Sequence, residues 1–310
     1  MAELYFCEWM DKRKKVIIIG GPTAAGKTSM AIEVARHLST EIISADSRQC
    51  YKEMKIGVAR PSEEELSMVP HHFIASHSIE EKVTAATFEA YALEKATAIF
   101  QNNDVLVMVG GTGLYIKAFC EGLDIIPDVP EEVRNSIIQT FNEKGLPWLQ
   151  AAVQQKDPLF FATGENRNPH RLMRALEVVE FTGQSILSFR RGIKAQREFD
   201  IIKVVLSPDK EQLHANINHR VDVMMEMGLL DEVRNLWDYR HLNALQTVGY
   251  RELYEYLDGH TDLESAVDQI KRNTRQYAKR QLTWFKRDTL YRWFAPSEKT
   301  SLLAYIQEQV

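Results

Sequence analysis

Apolar residues fall in two kinds of pattern along this chain. Lys15–Gly20 (KVIIIG) is a β-branched run closed by glycine, and it predicts a buried strand. Lys27–Leu38 follows with Met30, Ile32, Val34, Ala35 and Leu38 at helical spacing. Glu41–Ser44 predicts a second short strand, Thr87–Phe100 a helix, and Val105–Val109 (VLVMV) a third strand. Strand, helix, strand, helix, strand implies a parallel sheet with helices on both faces. Pro127 and Pro130 then punctuate the pattern, and Glu131 to about Phe199 reads as helical without a convincing strand. Strand character returns at Ile201–Leu206, and helices are predicted over Lys210–Met227, Leu229–Tyr239, Arg251–Leu257 and Leu263–Phe285. The predicted organisation is an N-terminal extension over 1–14, a core of 15–127 with 200–310, and an inserted helical domain over 128–199.

Length and composition change this picture little. At 310 residues, with 45% hydrophobic and 26% charged residues, the chain suits an ordinary globular protein with a sizeable core. No apolar run approaches the roughly 18 residues of a membrane helix, and the first fifteen residues lack the apolar centre of a signal peptide. Cys7, Cys50 and Cys120 are scattered without a CxxC pair, which argues against a zinc site or disulfide framework and for a reducing cytoplasm.

The predicted turn between the first strand and first helix carries the most specific chemistry. Gly21-Pro22-Thr23-Ala24-Ala25-Gly26-Lys27-Thr28 fits G-x-x-x-x-G-K-[ST] with a strand before it and a helix after it. Such a loop turns backbone N–H groups inward around phosphate oxygens, and the helix adds its positive end. Lys27 supplies a mobile charge and the Thr28 hydroxyl a ligand for Mg²⁺. The fold expected is therefore α/β of the P-loop NTPase-like kind, with a nucleotide-phosphate-binding site and Mg²⁺ as cofactor. Enzymes that transfer the γ-phosphoryl of ATP usually carry an acid at the end of an apolar strand. Here Val105–Val109 ends in Gly110-Gly111-Thr112-Gly113, without one. Asp46, just after the second strand, is the best-placed carboxylate, either as a metal ligand or proton acceptor or as the cap of a turn beside Ser47.

Net charge is −5, so any affinity for nucleic acid must come from local faces. Arg272, Arg275, Lys279 and Lys286 fall within roughly 60° of one another on the last long helix, with Ile270, Tyr277, Trp284 and Phe285 opposite. A second cluster, Arg167, His170, Arg171, Arg174, Arg190, Arg191, Lys194 and Arg197, lies in the inserted region. Each is either a solvated, salt-bridged surface or a grip on a phosphate backbone.

Nine segments in order resemble the tRNA dimethylallyltransferases (isopentenyltransferases): Gly21–Thr28, Asp46–Tyr51 (DSRQCY), Gly57–Pro61 (GVARP), Pro70–Phe73 (PHHF), Gly110–Tyr115 (GGTGLY), Asn168–Val178 (NPHRLMRALEV), Gly228–Val233 (GLLDEV), Gln246–Glu252 (QTVGYRE) and Thr274–Phe285 (TRQYAKRQLTWF). Val58 and Arg60 depart from the Thr and Lys expected there. The resemblance implies transfer of a dimethylallyl group from its diphosphate to the N6 amine of the adenosine 3′ to the anticodon. It implies that the P-loop from Thr23 to Thr28 holds the diphosphate and that Asp46 is the general base. Thr112 and Arg220 would assist near the leaving group. Asp46, Ser47, Arg48, Gln49, Arg134, His170, Arg171, Leu172, Met173, Arg174 and Gln246, Thr247, Val248, Gly249, Tyr250, Arg251 would line the tRNA side, joined by Arg275 and Lys279 from the basic stripe. The expected partners are dimethylallyl diphosphate and the tRNA anticodon stem-loop, bound by a cytoplasmic monomer without a membrane. Two rivals remain open: an ATP-dependent P-loop kinase of a small molecule or nucleoside, and a non-catalytic tRNA-binding P-loop protein.

Overall fold

A computed structural model describes residues 13–310; the extension expected over 1–14 lies, up to residue 12, outside the described residues. The first strand, β1 (Lys14–Gly20), is the hub of the fold. In chain order it is followed by α1 (Lys27–His37), β2 (Ile42–Ser44), α2 (Glu63–Met68), β3 (His71–His72), α3 (Ala85–Ile99), β4 (Val105–Gly110) and α4 (Gly113–Glu121). A helical stretch holds α5 (Glu131–Lys156), α6 (Pro158–Phe161) and α7 (Pro169–Thr182). Then come β5 (Phe199–Leu206), α8 (Lys210–Glu226), α9 (Leu229–Asn235), α10 (Tyr250–Leu257), α11 (Leu263–Phe285), β6 (Arg292–Phe294) and α12 (Lys299–Gln309).

The six strands form one sheet in the order β3-β2-β4-β1-β5-β6, and every pairing is parallel. Parallel strands need covering on both faces, which is why β1 reads as a continuous apolar run rather than an alternating one. Val16 and Ile18 pack into one core with Leu106, Met108 and residues of α3, α4, α10 and α11. Ile17 and Ile19 pack into the other with Val107, Val109, Val204 and the apolar faces of α1 and α12. The period of two in a strand thus divides one sequence run between two cores.

The expected strands and long helices are present, with edges shifted by one or two residues. Two edge strands, β3 and β6, were not expected. They have two and three residues, too few to show alternation. The helices α2, α4 and α12 were not expected either. α2 buries none of its residues and rests on a capping box between Ser62 and Glu65, so it has no apolar stripe to read. The single helix expected over Leu229–Tyr239 is α9 followed by a 3₁₀ turn at Trp237–Tyr239.

The chain divides into two compact units, residues 122–195 and the remainder. The smaller unit packs around Leu149, Val153, Phe160, Leu172, Leu176 and Ile186. One of its buried carboxylates, Asp157, caps α6 by accepting the Phe160 N–H at 3.0 Å, and also accepts the Ser185 hydroxyl at 2.9 Å and the Ile186 N–H at 3.3 Å. Replacing it with Ala strands those donors in a closed interior. Asp157→Ala is expected to cost about 3 kcal/mol, read as a roughly 100-fold faster amide hydrogen exchange at buried positions of α5 and α7, with exchange in the sheet unchanged.

Candidate active site

The strand β1 ends at Gly20, and the chain turns through Gly21–Gly26 into α1. Gly21 has φ +147° and sits so close to the Leu206 carbonyl that a Cβ would stand 2.5 Å from it, so no side chain fits. Ala24 at φ 62° and Gly26 at φ 80° complete a left-handed cradle. The helix it opens has no side-chain cap. Among the described residues, the backbone N–H groups of Ala24 to Thr28 make no hydrogen bond, so they stand available at a positive helix end. The N–H of Thr23 is different: it is already given to the Gln281 side chain at 2.9 Å. The expected cradle therefore begins at Ala24 for backbone donors, with Thr23 a structural member.

Two cations face this loop. Lys27 lies half-buried with Nζ on the Pro22 carbonyl at 2.6 Å. Burial and then Arg220 pull its ammonium down to about 8, against the opposing charge of Asp46. Arg220, from α8, reaches the Thr23 hydroxyl at 3.4 Å; burial lowers its pKa too, while Glu65 and Asp46 oppose the shift. Neither cation has an ion-pair partner within 4 Å among the described residues. Two poorly solvated cations beside free N–H groups make a site for a multiply charged anion. No cluster of three His, Cys, Asp or Glu residues suited to a metal occurs among the described residues. The Thr28 hydroxyl, half-buried in the first turn of α1, is the side chain at this loop that could hold Mg²⁺.

The ends of β2 and β4 bring the other two expected residues to the same sheet edge. Ala45 donates its N–H to the Val109 carbonyl at 2.7 Å and accepts the Thr112 N–H at 3.2 Å. Gly110 is obligatory in this contact, because its Cβ would lie 2.2 Å from the Ala45 carbonyl oxygen. Asp46 uses Oδ1 to accept the Arg48 and Gln49 N–H groups at 2.9 and 3.2 Å. It therefore caps a turn with one oxygen and keeps Oδ2 for chemistry. The Thr112 hydroxyl accepts the Ser47 N–H at 3.1 Å.

Several residues expected on the tRNA side have other duties. Tyr250 is fully buried; its hydroxyl donates to Glu232 at 2.6 Å and its ring abuts Gly57. Leu172 is fully buried in the helical unit. Neither side chain can reach a ligand, and both are corrected to core positions. The Gln49 amide donates to the Val58 and Ala59 carbonyls at 3.2 and 2.9 Å and accepts the Ser44 hydroxyl at 3.3 Å, so it holds the neighbouring loop. Arg60, the departure from lysine, grips the Tyr51, Lys52 and Met54 carbonyls from the same loop. In the helical unit, Arg134 and Arg174 both pair with the buried Glu177 at 3.2 Å, and Arg171 with Glu165 at 2.5 Å. His170 stays exposed at the start of α7, and Met173 is half-buried. Gln246 and Arg251 are exposed, Thr247 and Val248 half-buried, and Gly249 (φ 99°) enters α10.

The basic stripe of α11 also needs correcting. Arg275 is half-buried against α8, donating to Asn218 at 2.5 Å, and Lys271 pairs with Asp222 at 2.6 Å. Arg272, Lys279 and Lys286, spaced by seven, are the exposed positions.

Four site residues escaped the sequence reading. Gln281 and Tyr277 lie one turn apart on α11; Asn216 of α8 holds the Ala24 carbonyl at 3.2 Å. Glu232 of α9 accepts the N–H groups of Lys55, Ile56 and Gly57. Burial and the nearby Asp46 charge push the Tyr277 hydroxyl up to about 12, partly offset by Arg48 and by the Thr112 hydroxyl beside it. The available signal was a glutamine at an apolar position of an amphipathic helix, four residues beyond Tyr277 and three before Trp284.

A P-loop at the head of a parallel sheet, two desolvated cations beside it, and a carboxylate next to a threonine define an α/β P-loop protein with a site for a multiply charged anion. The sequence model of the IPP transferase family matches residues 49–288, and the chain belongs to that family. It is 48% identical over 296 residues to the tRNA dimethylallyltransferase of Christiangramia forsetii, covering 95% of this chain and 98% of the relative. It is 44% identical over 294 residues to tRNA dimethylallyltransferase 1 of Bacteroides thetaiotaomicron, covering 95% and 96%. Among solved structures, the full-length tRNA isopentenylpyrophosphate transferase of Bacillus halodurans superposes with a TM-score of 0.71 at 34% identity, over 95% of this chain and 96% of that one. A eukaryotic dimethylallyltransferase acting on tRNA superposes with a TM-score of 0.73 at 26% identity, over 87% and 69%.

Proposed function

We propose that this chain transfers a dimethylallyl group from dimethylallyl diphosphate to the N6 amine of the adenosine 3′ to the anticodon of tRNA, releasing diphosphate. The observation that carries the reading is the pairing of an anion cradle with Asp46 and Thr112 on one sheet edge, where β4 ends in glycines instead of an acid. The full-length relatives named as tRNA dimethylallyltransferases support it.

The chemistry follows from those parts. As the allylic C1–O bond breaks, negative charge grows on the departing diphosphate. The N–H groups of Ala24 to Thr28, Lys27 and Arg220 stabilise that charge. The Thr28 hydroxyl would hold Mg²⁺, which would supply further positive charge at the leaving group. The adenine amine is a neutral, weak nucleophile, so placement against C1 supplies much of the rate. As the N6–C1 bond forms, Asp46 Oδ2 accepts the amine proton. To enter the site the target base must leave its stack. The exposed Arg272, Lys279 and Lys286 give α11 a face for phosphate contacts. No helix among the described residues is long and apolar enough to cross a membrane, and a tRNA substrate supports a cytoplasmic place of work.

The reading requires no ATP. Purified protein, Mg²⁺, unmodified tRNA and dimethylallyl diphosphate are expected to yield prenylated adenosine, detected by mass spectrometry of the nucleosides. A strict requirement for ATP in that mixture would favour the kinase instead.

Asp46→Asn retains the Oδ1 cap and removes the base. Single-turnover rates are expected to fall about 10² to 10⁴-fold with donor affinity nearly constant. A near-normal chemical step at saturating tRNA and donor would remove Asp46 from the role of base.

Arg272→Ala with Lys279→Ala takes two exposed charges from one side of α11. The expected outcome is weaker tRNA binding and a slope of log K against log salt shallower by about one to two, with an unchanged melting temperature. Unaltered affinity would make the stripe a solvated surface only.

A further inference from the structure

Helix α11 lies across both loops of the site. Its Gln281 side chain is one of the few buried polar groups, 6% exposed, and its amide is used on both sides. Oε1 accepts the Thr23 N–H of the P-loop at 2.9 Å, and Nε2 donates to the Gly111 carbonyl at 3.0 Å. The fit leaves no slack. A Cβ on Gly111 would stand 2.1 Å from Nε2, and one on Gly113 would stand 2.2 Å from the Trp284 indole, one turn further along the same face.

These contacts connect the two halves of the reaction. Gly111 precedes Thr112, whose hydroxyl holds the Ser47 N–H, and Ser47 follows Asp46. The sequence of contacts runs from Thr23 in the cradle through Gln281, Gly111, Thr112 and Ser47 to Asp46. Thr23 meets Arg220 through its hydroxyl and Gln281 through its N–H, so the same residue touches a cradle cation and the bridge.

We propose that Gln281 is a positioning residue for the transfer step, setting the distance between the diphosphate cradle and the edge that carries Thr112 and Asp46. The proposal rests on the transferase reading. Gln281 itself touches no reacting atom; it acts through Thr23 and Gly111. Side-chain volume alone would be met by methionine, whereas the bridge needs one acceptor and one donor in the same planar group. A bridge that slackens by about 1 Å is enough to cost two orders of magnitude in rate without removing any substrate contact.

The test compares the full-length wild type with Gln281→Met and Gln281→Glu, each well below its melting temperature. Methionine keeps the length and loses both bonds. Glutamate keeps the acceptor for the Thr23 N–H but, ionised, presents a second acceptor to the Gly111 carbonyl; protonated, it donates there as the amide does. Single-turnover prenyl transfer at saturating donor and tRNA is expected to fall about 10- to 100-fold in both variants at pH 8, with the dissociation constant for dimethylallyl diphosphate within about threefold of wild type. As pH falls from 8 towards 5.5, the Gln281→Glu rate relative to wild type is expected to climb, while the Gln281→Met ratio stays flat. Full rates in both variants, a loss confined to donor affinity, or two ratios with the same pH dependence would each overturn the proposal. A wild-type enzyme that forms no prenylated adenosine overturns the transferase reading itself, and this inference with it.

Discussion

Everything at the candidate site depends on charge kept away from water without a partner. Lys27 and Arg220 both lose hydration to the helices that cover them, and neither is answered by a carboxylate within ion-pair distance among the described residues. Two cations with little water and no carboxylate beside them favour a multiply charged anion, and in the proposed reading the diphosphate is that anion. The glycine at position 21, the left-handed Ala24 and the uncapped start of α1 all serve the same end, since each exposes a backbone donor or permits a close approach. The helices α8 and α11 complete the arrangement by holding the loop through Asn216, Arg220 and Gln281.

How much of this was legible depended on whether a residue's role is local. The P-loop could be read because its spacing, the strand before it and the helix after it are contiguous in sequence. Asp46 could be read because β2 is a short apolar run whose end is marked, whereas Thr112 came from the family resemblance alone. Gln281 could not, because its partners at Thr23 and Gly111 lie 258 and 170 positions away. Helical spacing placed Arg275 outward, but a helix covered by a neighbour has more than one buried side. The approach of α8 turns Lys271 and Arg275 inward while Arg272 and Lys279 remain outside. Tyr250 and Leu172 show the converse error: a motif marks a neighbourhood, and some of its members earn their place by packing. The short edge strands β3 and β6 escaped because pairing with a neighbour, rather than their own pattern, makes them strands.

The way the larger unit is threaded has a consequence for synthesis. The central strand β1 pairs with β4 on one side and with β5 on the other, and the whole helical stretch is made between those two partners. β1 and the P-loop leave the ribosome early, yet the side chain that takes the Thr23 N–H arrives only with α11, near the end of the chain. Contacts this distant in sequence form late. A nascent or prematurely terminated chain therefore presents the phosphate loop without its cover, and competence for chemistry is deferred until almost the last turn of α11 has been made.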